Sequence, residues 1–455
     1  MAVENQGDQT SVRRPRVAVL YHYFYPDDVV SARHFDEFCR GLHARGWQVE
    51  VLPCNRGCRD EARTYRAREN WNGIRIRRVW RPRLRQASNL GRLINAAWMI
   101  LSWSILLICR AKKTLPDVLV VGTDPVLSVL VAWAVKKLRP SVRVVHWCYD
   151  LYPEAPVADG MLSADSAIVR MIKGMNRAAY RACDLVVDLG PCMRRLLEAY
   201  RFPARKITLV PWALSEPQNV VAPDPITRGE LFGEASLGIL YSGNFGRAHS
   251  YELFLELARD LRSSKVGMCF AVRGNQAEEV RRAVRSDDGN IRFAGFAPES
   301  ALTTRLAAAD VHLVSLRPGW TGVVVPSKFF GSLAAGRPVI FAGDDDSAIA
   351  RWIVEHKVGW VLNRGSLPRV ADELRRLVND SEALRALQTR CHAVYHGNFS
   401  WTCMMDRWNA ELRGLLASQT RELPIAPAHT LAPTAAGGMP RYLPERNARE
   451  IPQAV

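Results

Sequence analysis

The sequence predicts an α/β protein made of two Rossmann-like halves, on three observations. Short apolar, β-branched runs alternate with amphipathic helical stretches, which is the pattern of a parallel, doubly wound sheet. The alternation breaks at a proline-rich stretch near the middle and then restarts. Hydrophobic residues make up 48% and charged residues 24% of 455 residues, enough apolar material for two full cores.

Arg16–Tyr25 (RVAVLYHYFY) reads as a buried first strand. Ser31–Arg45 follows with Phe35, Phe38 and Leu42 at helical spacing and Gly46 as its stop, and Trp47–Leu52 reads as the second strand. Asp117–Gly122 and Val142–Trp147 are further parallel-sheet strands, with Pro125–Leu138 as the helix between them. Leu185–Leu189 and Ile207–Pro211 complete the first half. Residues 214–233 hold Pro217, Pro223 and Pro225 with little periodicity and read as a linker.

The second half restarts with strand Leu237–Tyr241, helix Tyr251–Leu261, strand Val266–Val272 and helix Ala277–Val284. Strand Ile291–Ala294, helix Ser300–Ala308 and strand Val311–Ser315 follow. The expected organisation is a disordered N-terminus over 1–15, a first Rossmann-like domain over 16–213, the linker over 214–233, a second such domain over 234–395, a C-terminal helix over 396–417 returning to the first domain, and a disordered tail over 418–455. A cleft is expected between the halves, facing the carboxyl ends of the strands.

The chain carries 62 Lys and Arg against 45 Asp and Glu, a net charge of +17. A field of that sign attracts nucleotide phosphate or anionic lipid. The ten cysteines are scattered, and Cys54 and Cys58 form the only close pair, so neither a zinc site nor a disulfide framework is expected. The first fifteen residues lack the apolar segment of a secretory signal. The first strand ends in YHYFYPDD without a G-x-G-x-x-G turn, which argues against a dinucleotide-binding protein.

Leu93–Cys109 holds seventeen residues without a charge. As a helix it is about 26 Å long, slightly short of a hydrocarbon core. Arg83, Arg85 and Arg92 precede it; Arg110, Lys112 and Lys113 follow. Three readings stand: a buried core helix, a true span, and an in-plane or re-entrant anchor whose basic rim suits anionic lipid. Trp98 and Trp103 suit a membrane interface.

Three segments carry candidate chemistry. In Leu240–Ser250 (LYSGNFGRAHS), Gly243 and Gly246 permit a tight turn between strand and helix, where backbone N–H groups favour phosphate, and Arg247 is a fixed cation beside it; a plain structural turn has the same pattern. In Val325–Ile340, Ser327 opens a short helix with Lys328 in its first turn. The helix dipole disfavours a cation there, so the placement makes sense with an anion nearby, or else as a solvated lysine. In Val145–Met161, Asp150 and Glu154 follow a strand directly at the cleft edge and can orient a hydroxyl, or Asp150 can simply cap a loop.

These segments in this order resemble the GT4 family of retaining glycosyltransferases, most closely the branch that builds bacterial surface polysaccharides. The likeness covers roughly residues 16–415. It rests on Asp150–Leu151–Tyr152–Pro153–Glu154–Ala155, on Gly243–Asn244–Phe245–Gly246–Arg247, on Pro326–Ser327–Lys328, and on Ala334–Ala335–Gly336–Arg337–Pro338–Val339–Ile340. The resemblance implies a GT-B fold. It implies a C-terminal half that binds a nucleotide diphosphate sugar, with Gly243, Asn244, Gly246, Arg247, Ser327 and Lys328 at the donor and Arg247 and Lys328 on its diphosphate. It implies an N-terminal half that receives the acceptor, often a sugar on a polyprenyl diphosphate, with Asp150 and Glu154 beside it. Arg83, Arg85, Trp98, Trp103, Arg110 and Lys112 would then meet the bilayer on the cytoplasmic side of the inner membrane. No metal and no cofactor beyond the donor is implied, and no nucleic-acid partner.

The chain departs from the family pattern in places. Gly331 and Val323 stand where many members carry Glu, and Asp27–Asp28–Val29–Val30 replaces a Gly pair. Glu299, or backbone near Pro318–Thr321, is left to meet the ribose and base. Two alternatives follow: a sugar-nucleotide epimerase of the same fold, and a catalytically inactive nucleotide-sugar-binding membrane scaffold.

Overall fold

The computed structural model describes residues 13–421 apart from 28 and 87, with the side chains of Glu299 and of residues 419–421 also outside the description. The expected disordered N-terminus and tail fall outside the described residues over 1–12 and 422–455, as does Asp28 of the first-strand loop, while residues 418–421, expected in the tail, belong to the last helix.

The first half is an eight-stranded sheet. Its strands are β1 (Arg16–Leu20), β2 (Gln48–Val51), β3 (Arg68–Trp71), β4 (Ile74–Arg77), β5 (Val118–Gly122), β6 (Arg143–Trp147), β7 (Leu185–Asp188) and β8 (Arg205–Thr208), in the order β3-β4-β2-β1-β5-β6-β7-β8. All neighbours are parallel except β3 and β4, an antiparallel edge pair. Asn72 and Gly73, both at positive φ, turn that hairpin, as an Asn-Gly pair does where the twist of two strands requires it. The helices are α1 (Val30–Ala44), α2 (Asn89–Ile108), α3 (Leu130–Leu138), α4 (Glu154–Ala158), α5 (Ala167–Arg181) and α6 (Pro191–Glu198).

After α7 (Pro225–Phe232) comes a six-stranded, wholly parallel sheet: β9 (Leu237–Asn244), β10 (Val266–Arg273), β11 (Ile291–Phe293), β12 (Val311–Ser315), β13 (Val339–Ala342) and β14 (Gly359–Leu362), ordered β11-β10-β9-β12-β13-β14. Its helices are α8 (Glu252–Asp260), α9 (Ala277–Ala283), α10 (Leu302–Ala307), α11 (Lys328–Ala334), α12 (Ala348–His356) and α13 (Leu367–Asn379). Two longer helices, α14 (Ser381–Asn398) and α15 (Trp401–Arg421), follow. α15 lies on the first half: Trp408 packs edge-on to Phe38 at 4.9 Å, Trp47 Nε1 donates to Asn409 Oδ1 over 2.9 Å, and Arg45 pairs with Asp406 at 2.6 Å.

Several elements differ from the sequence expectation. β1 stops at Leu20, and Tyr21–Tyr25 leaves the sheet as a loop. The expected helix over 125–138 begins only at Leu130, because residues 125–129 form a turn with Leu127 at positive φ. The stretch 214–233 is not all linker. Asp224 caps α7 by accepting from the Thr227 N–H at 2.8 Å, Pro225 sits at its first helical position, and Leu231 and Phe232 are buried. β9 runs on to Asn244, so the Gly243–Asn244 pair is strand end rather than free turn.

In both sheets the chain order reverses beside a central strand, between β1 and β5 and between β9 and β12. Ligands of open parallel sheets bind outside the carboxyl ends of the strands at such points. The fold therefore concentrates four strand ends, near Tyr21, Thr123, Gly243 and Leu316, where a site is to be sought.

Candidate active site

Two cavities occupy that region. The first, about 420 Å³, lies over the carboxyl ends of β1, β5 and β6 and is walled by Tyr21, His34, Thr123, Asp124, Tyr149 and Asp150 among others. The second, about 250 Å³, lies over β9 and β10 against α11 and is walled by Ser242, Gly243, Asn244, Arg273, Ser327 and Lys328 among others. Val30, His34 and Ser327 line both, so the cavities are two ends of one cleft.

Lys328 is the fixed point of the second cavity. Its helix starts at the cleft because β12 and β13 lie side by side and the loop between them must re-enter over the sheet end. Its Nζ donates to the carbonyl of Asn244 at 2.9 Å and stands 5.4 Å from the centre of the Tyr241 ring. Burial lowers its pKa to about 8. Gly243 is held at φ +126, and a Cβ there would come within 2.8 Å of Lys328 Cε; glycine is needed for the backbone angle and for the close approach of the lysine. Ser327 is exposed into the cleft and Asn244 is at its edge.

Arg247 is placed differently from the expectation. Its guanidinium lines neither cavity; it pairs with Asp159 of the first half, and its side chain is 55% exposed. The second cation on the wall of the Lys328 cavity is Arg273, the last residue of β10, stacked over Phe296 at 3.7 Å. Gly246 shapes the turn but lines no cavity. Glu299 starts a short 3-10 turn two residues beyond the lining residue Ala297. Gly331 lines the cavity, and a Cβ there would meet nothing within 4 Å, so the room that a longer side chain would fill is open.

Around the first cavity the structure separates the two expected carboxylates. Asp150 lines the first cavity, and burial, then the neighbouring Asp124 charge, raise its pKa to about 6. Glu154 turns away, with Oε1 accepting from the Tyr200 hydroxyl at 2.8 Å and forming an ion pair with Lys173 at 3.8 Å, and it lines neither cavity. Asp150 lies in the loop after β6 whereas Glu154 is the first residue of α4, and the bend of the chain between them carries the second side chain off the cleft.

The sequence reading missed Asp124, His22 and Arg273. Asp124 lies two residues past the end of β5 and Arg273 ends β10, and a position at or just past the end of a parallel strand is itself the signal that finds them. Among the described residues no group of three or more His, Cys, Asp or Glu is placed to hold a metal ion.

α2 extends from Asn89 to Ile108, with Ser88 accepting from the Gly91 N–H at 3.0 Å as its cap. It is the one helix among the described residues long and apolar enough to cross a membrane, yet only 39% of its most apolar stretch is buried. Ala96, Met99, Trp103 and Leu107 face the core, whereas Leu90, Leu93, Ile94, Trp98, Leu101 and Ile105 are exposed. Trp103 is therefore not a surface residue: it is fully buried and its indole N–H donates to the Leu52 carbonyl at 2.7 Å. Arg110 is also committed inward, clasping Glu50 with two bonds of 2.6 and 3.0 Å. Arg83, Arg85 and Lys112 are exposed, and Trp98, 40% exposed, donates to the Trp80 carbonyl at 2.7 Å.

Residues 31–213 match the pattern described as "Glycosyl transferase 4-like domain", and residues 236–380 match "Glycosyl transferases group 1". The chain belongs to the GT4-type glycosyltransferases. It is 26% identical over 345 residues to a probable glycosyltransferase, WbjE, of Pseudomonas aeruginosa, covering 74% of this chain and 84% of that one. It is 23% identical over 339 residues to a putative colanic acid biosynthesis glycosyl transferase, WcaI, of Escherichia coli K12, covering 70% and 81%. Among solved structures, sucrose-phosphate synthase of Thermosynechococcus elongatus superposes with a TM-score of 0.67 at 15% identity over 89% of this chain and all of that one. WaaG, a glycosyltransferase involved in lipopolysaccharide biosynthesis, gives 0.58 at 16% over 86% and 98%. HepE of Anabaena, solved with UDP and glucose, gives 0.59 at 13% over 88% and 100%. This glycosyltransferase thus has the GT-B fold, and its two parallel sheets are the two halves of that fold.

Proposed function

We propose that this glycosyltransferase moves a sugar from a nucleotide diphosphate sugar to a saccharide carried on a polyprenyl diphosphate, with retention of configuration, in surface polysaccharide biosynthesis. The observation that carries the reading is the seating of Lys328 on the Gly243–Asn244 strand end, in a cavity that opens into a second, carboxylate-lined one. A lysine whose amine is drawn into the protein beside exposed backbone of a strand end suits a diphosphate leaving group. The names of WbjE, WcaI and WaaG support the polysaccharide context, and HepE solved with UDP supports the class of donor.

In this reading the donor diphosphate lies against Lys328, with Arg273 on the same wall and Arg247 reaching it when released from Asp159. Cations aimed at the growing charge of a leaving group contribute about 3–4 kcal/mol each. The acceptor hydroxyl attacks on the face the leaving group departs from, and a diphosphate oxygen takes its proton, so no protein nucleophile is required. Asp150 orients the acceptor; Glu154, bonded to Tyr200, supports the loop rather than the substrate.

The exposed face of α2 is the proposed contact with the cytoplasmic leaflet of the membrane that holds the acceptor lipid. Leu93, Ile94, Trp98, Leu101 and Ile105 form an apolar stripe, and Arg83, Arg85 and Arg92 are exposed beside it, a combination suited to an in-plane anchor on anionic lipid.

A panel of nucleotide sugars tested by thermal shift identifies the donor, because a ligand specific for the native state raises its melting temperature. Product analysis with a lipid-linked saccharide and the stabilising donor then gives the anomeric outcome. No stabilisation by any UDP-, GDP-, ADP- or dTDP-sugar overturns the reading.

A further inference from the structure

The chain is strongly basic, yet the first cavity is not. Among the described residues that line it there is no Lys or Arg, while two carboxylates, Asp124 and Asp150, face into it. Asp124 Oδ1 lies 3.3 Å from Nδ1 of His22, whose side chain is 3% exposed, whereas the Asp124 side chain is 39% exposed. The pair therefore fixes one carboxylate oxygen and presents the group to the cavity. Asp150 is half-buried, and no hydrogen bond or ion pair ties it to another described residue. Tyr149 also lines the cavity, and its hydroxyl is buried without a partner. Tyr21 and Tyr152 add ring faces.

Buried polar groups are normally satisfied, and unsatisfied ones grouped in a cavity point to a ligand that completes them. A carboxylate only accepts, so the missing partners are donors. Hydroxyls of a sugar ring meet this need, with the aromatic faces against its C–H side. An acidic ligand is disfavoured, because its own carboxylate would stand near two others on a wall without Lys or Arg, and His22 behind that wall is already committed to Asp124.

We propose that this cavity is the subsite for the reacting sugar of the acceptor, and that Asp124 and Asp150 together restrict it to an uncharged, hydroxyl-bearing saccharide. This rests on the transferase reading above and adds a substrate class to it. His22 is then a positioning residue, acting through Asp124.

Saturation-transfer NMR on the full-length chain, with UDP present to fill the Lys328 cavity, tests it using free glucose, N-acetylglucosamine and glucuronic acid. The expected result is a saturable response from at least one neutral sugar and none from glucuronic acid at equal concentration. Asp124→Asn and Asp150→Asn are each expected to weaken the neutral-sugar response about tenfold, since each loses a charge-assisted bond, and the double variant is expected to admit glucuronic acid. Retained UDP binding shows that each variant is folded, and the wild-type selectivity stands as a test without any variant. A response to glucuronic acid equal to that of glucose, or an undiminished glucose response in both single variants, overturns the proposal. UDP binding with no monosaccharide response also overturns it while leaving the transferase reading intact; absence of UDP binding strikes the transferase reading itself.

Discussion

The Lys328 amine donates to the Asn244 carbonyl across 2.9 Å, and so joins the first turn of α11 to the last residue of β9. One hydrogen bond thus brings together two segments more than eighty residues apart. It holds a cation, lowered by burial to about pKa 8, at the mouth of the smaller cavity. Removing that cation is expected to lower transfer about 10²–10³-fold in Lys328→Ala, measured as kcat with the donor found by thermal shift. Unchanged kcat would take the residue out of the chemistry.

The same group makes two pH effects of opposite sign. As pH rises through about 8, Lys328 loses its charge, so transfer is expected to fall. Stability moves the other way. The folded pKa lies below the unfolded one, the unfolded chain binds more protons between them, and the contribution of this lysine to stability rises with pH across that interval. Lys328→Met is therefore expected to be at least as stable as the wild type near neutrality while inactive, as read by parallel melting and turnover profiles.

Two glycines of the Lys328 cavity should respond differently to alanine. Gly243→Ala forces a left-handed backbone on a side chain and drives a Cβ to 2.8 Å from Lys328 Cε, for an expected loss of about 1–3 kcal/mol. Gly331 lies inside α11 with nothing within 4 Å of its added Cβ, so Gly331→Ala is expected to stabilise by about 0.5–1 kcal/mol. Denaturant titration of both variants separates the two, and equal effects would contradict the described geometry.

The tryptophans of α2 give the membrane proposal its control. Trp98 is partly exposed and Trp103 is fully buried. Trp98→Glu with Leu101→Glu is expected to reduce sedimentation with phosphatidylglycerol-containing vesicles while leaving the melting temperature nearly unchanged. Trp103→Ala is expected to cost about 3–5 kcal/mol of stability. Full vesicle binding by the Trp98–Leu101 double variant would show that this face does not meet lipid.

Burial opposes protonation of His22, but Asp124 prevails and raises its pKa to about 9. With the folded value above the unfolded one, the stabilisation is fully present below about pH 6.5 and is lost as pH rises through about 9. His22→Asn is expected to flatten the decline of melting temperature between these values. An unchanged slope would mean that the His22–Asp124 pair is not the group titrating there.

The order of strands and helices was legible in the chain because burial on both faces makes parallel strands into short unbroken apolar runs. The break into two halves was legible for the same reason, and so was Lys328, since a cation in the first turn of a helix stands out against the dipole. The periodicity of α2 was only half informative. Its residues are apolar all round, and apolarity is the same property whether a residue meets a protein core or lipid. Trp98 and Trp103 look alike in sequence and end on opposite faces, five residues apart on a helix that packs on one side only.

By itself the sequence determined the two-sheet architecture, its family and the strand ends at which chemistry is possible, because these depend on local pattern. Only the tertiary structure decided which side chains meet there. It drew Arg247 to Asp159 and Glu154 to Tyr200, and it gathered Asp124 and Asp150 around one cavity and Arg273 and Lys328 around the other. Those pairings join residues from different elements, and their direction is fixed by the packing of whole elements, which no local run of residues encodes.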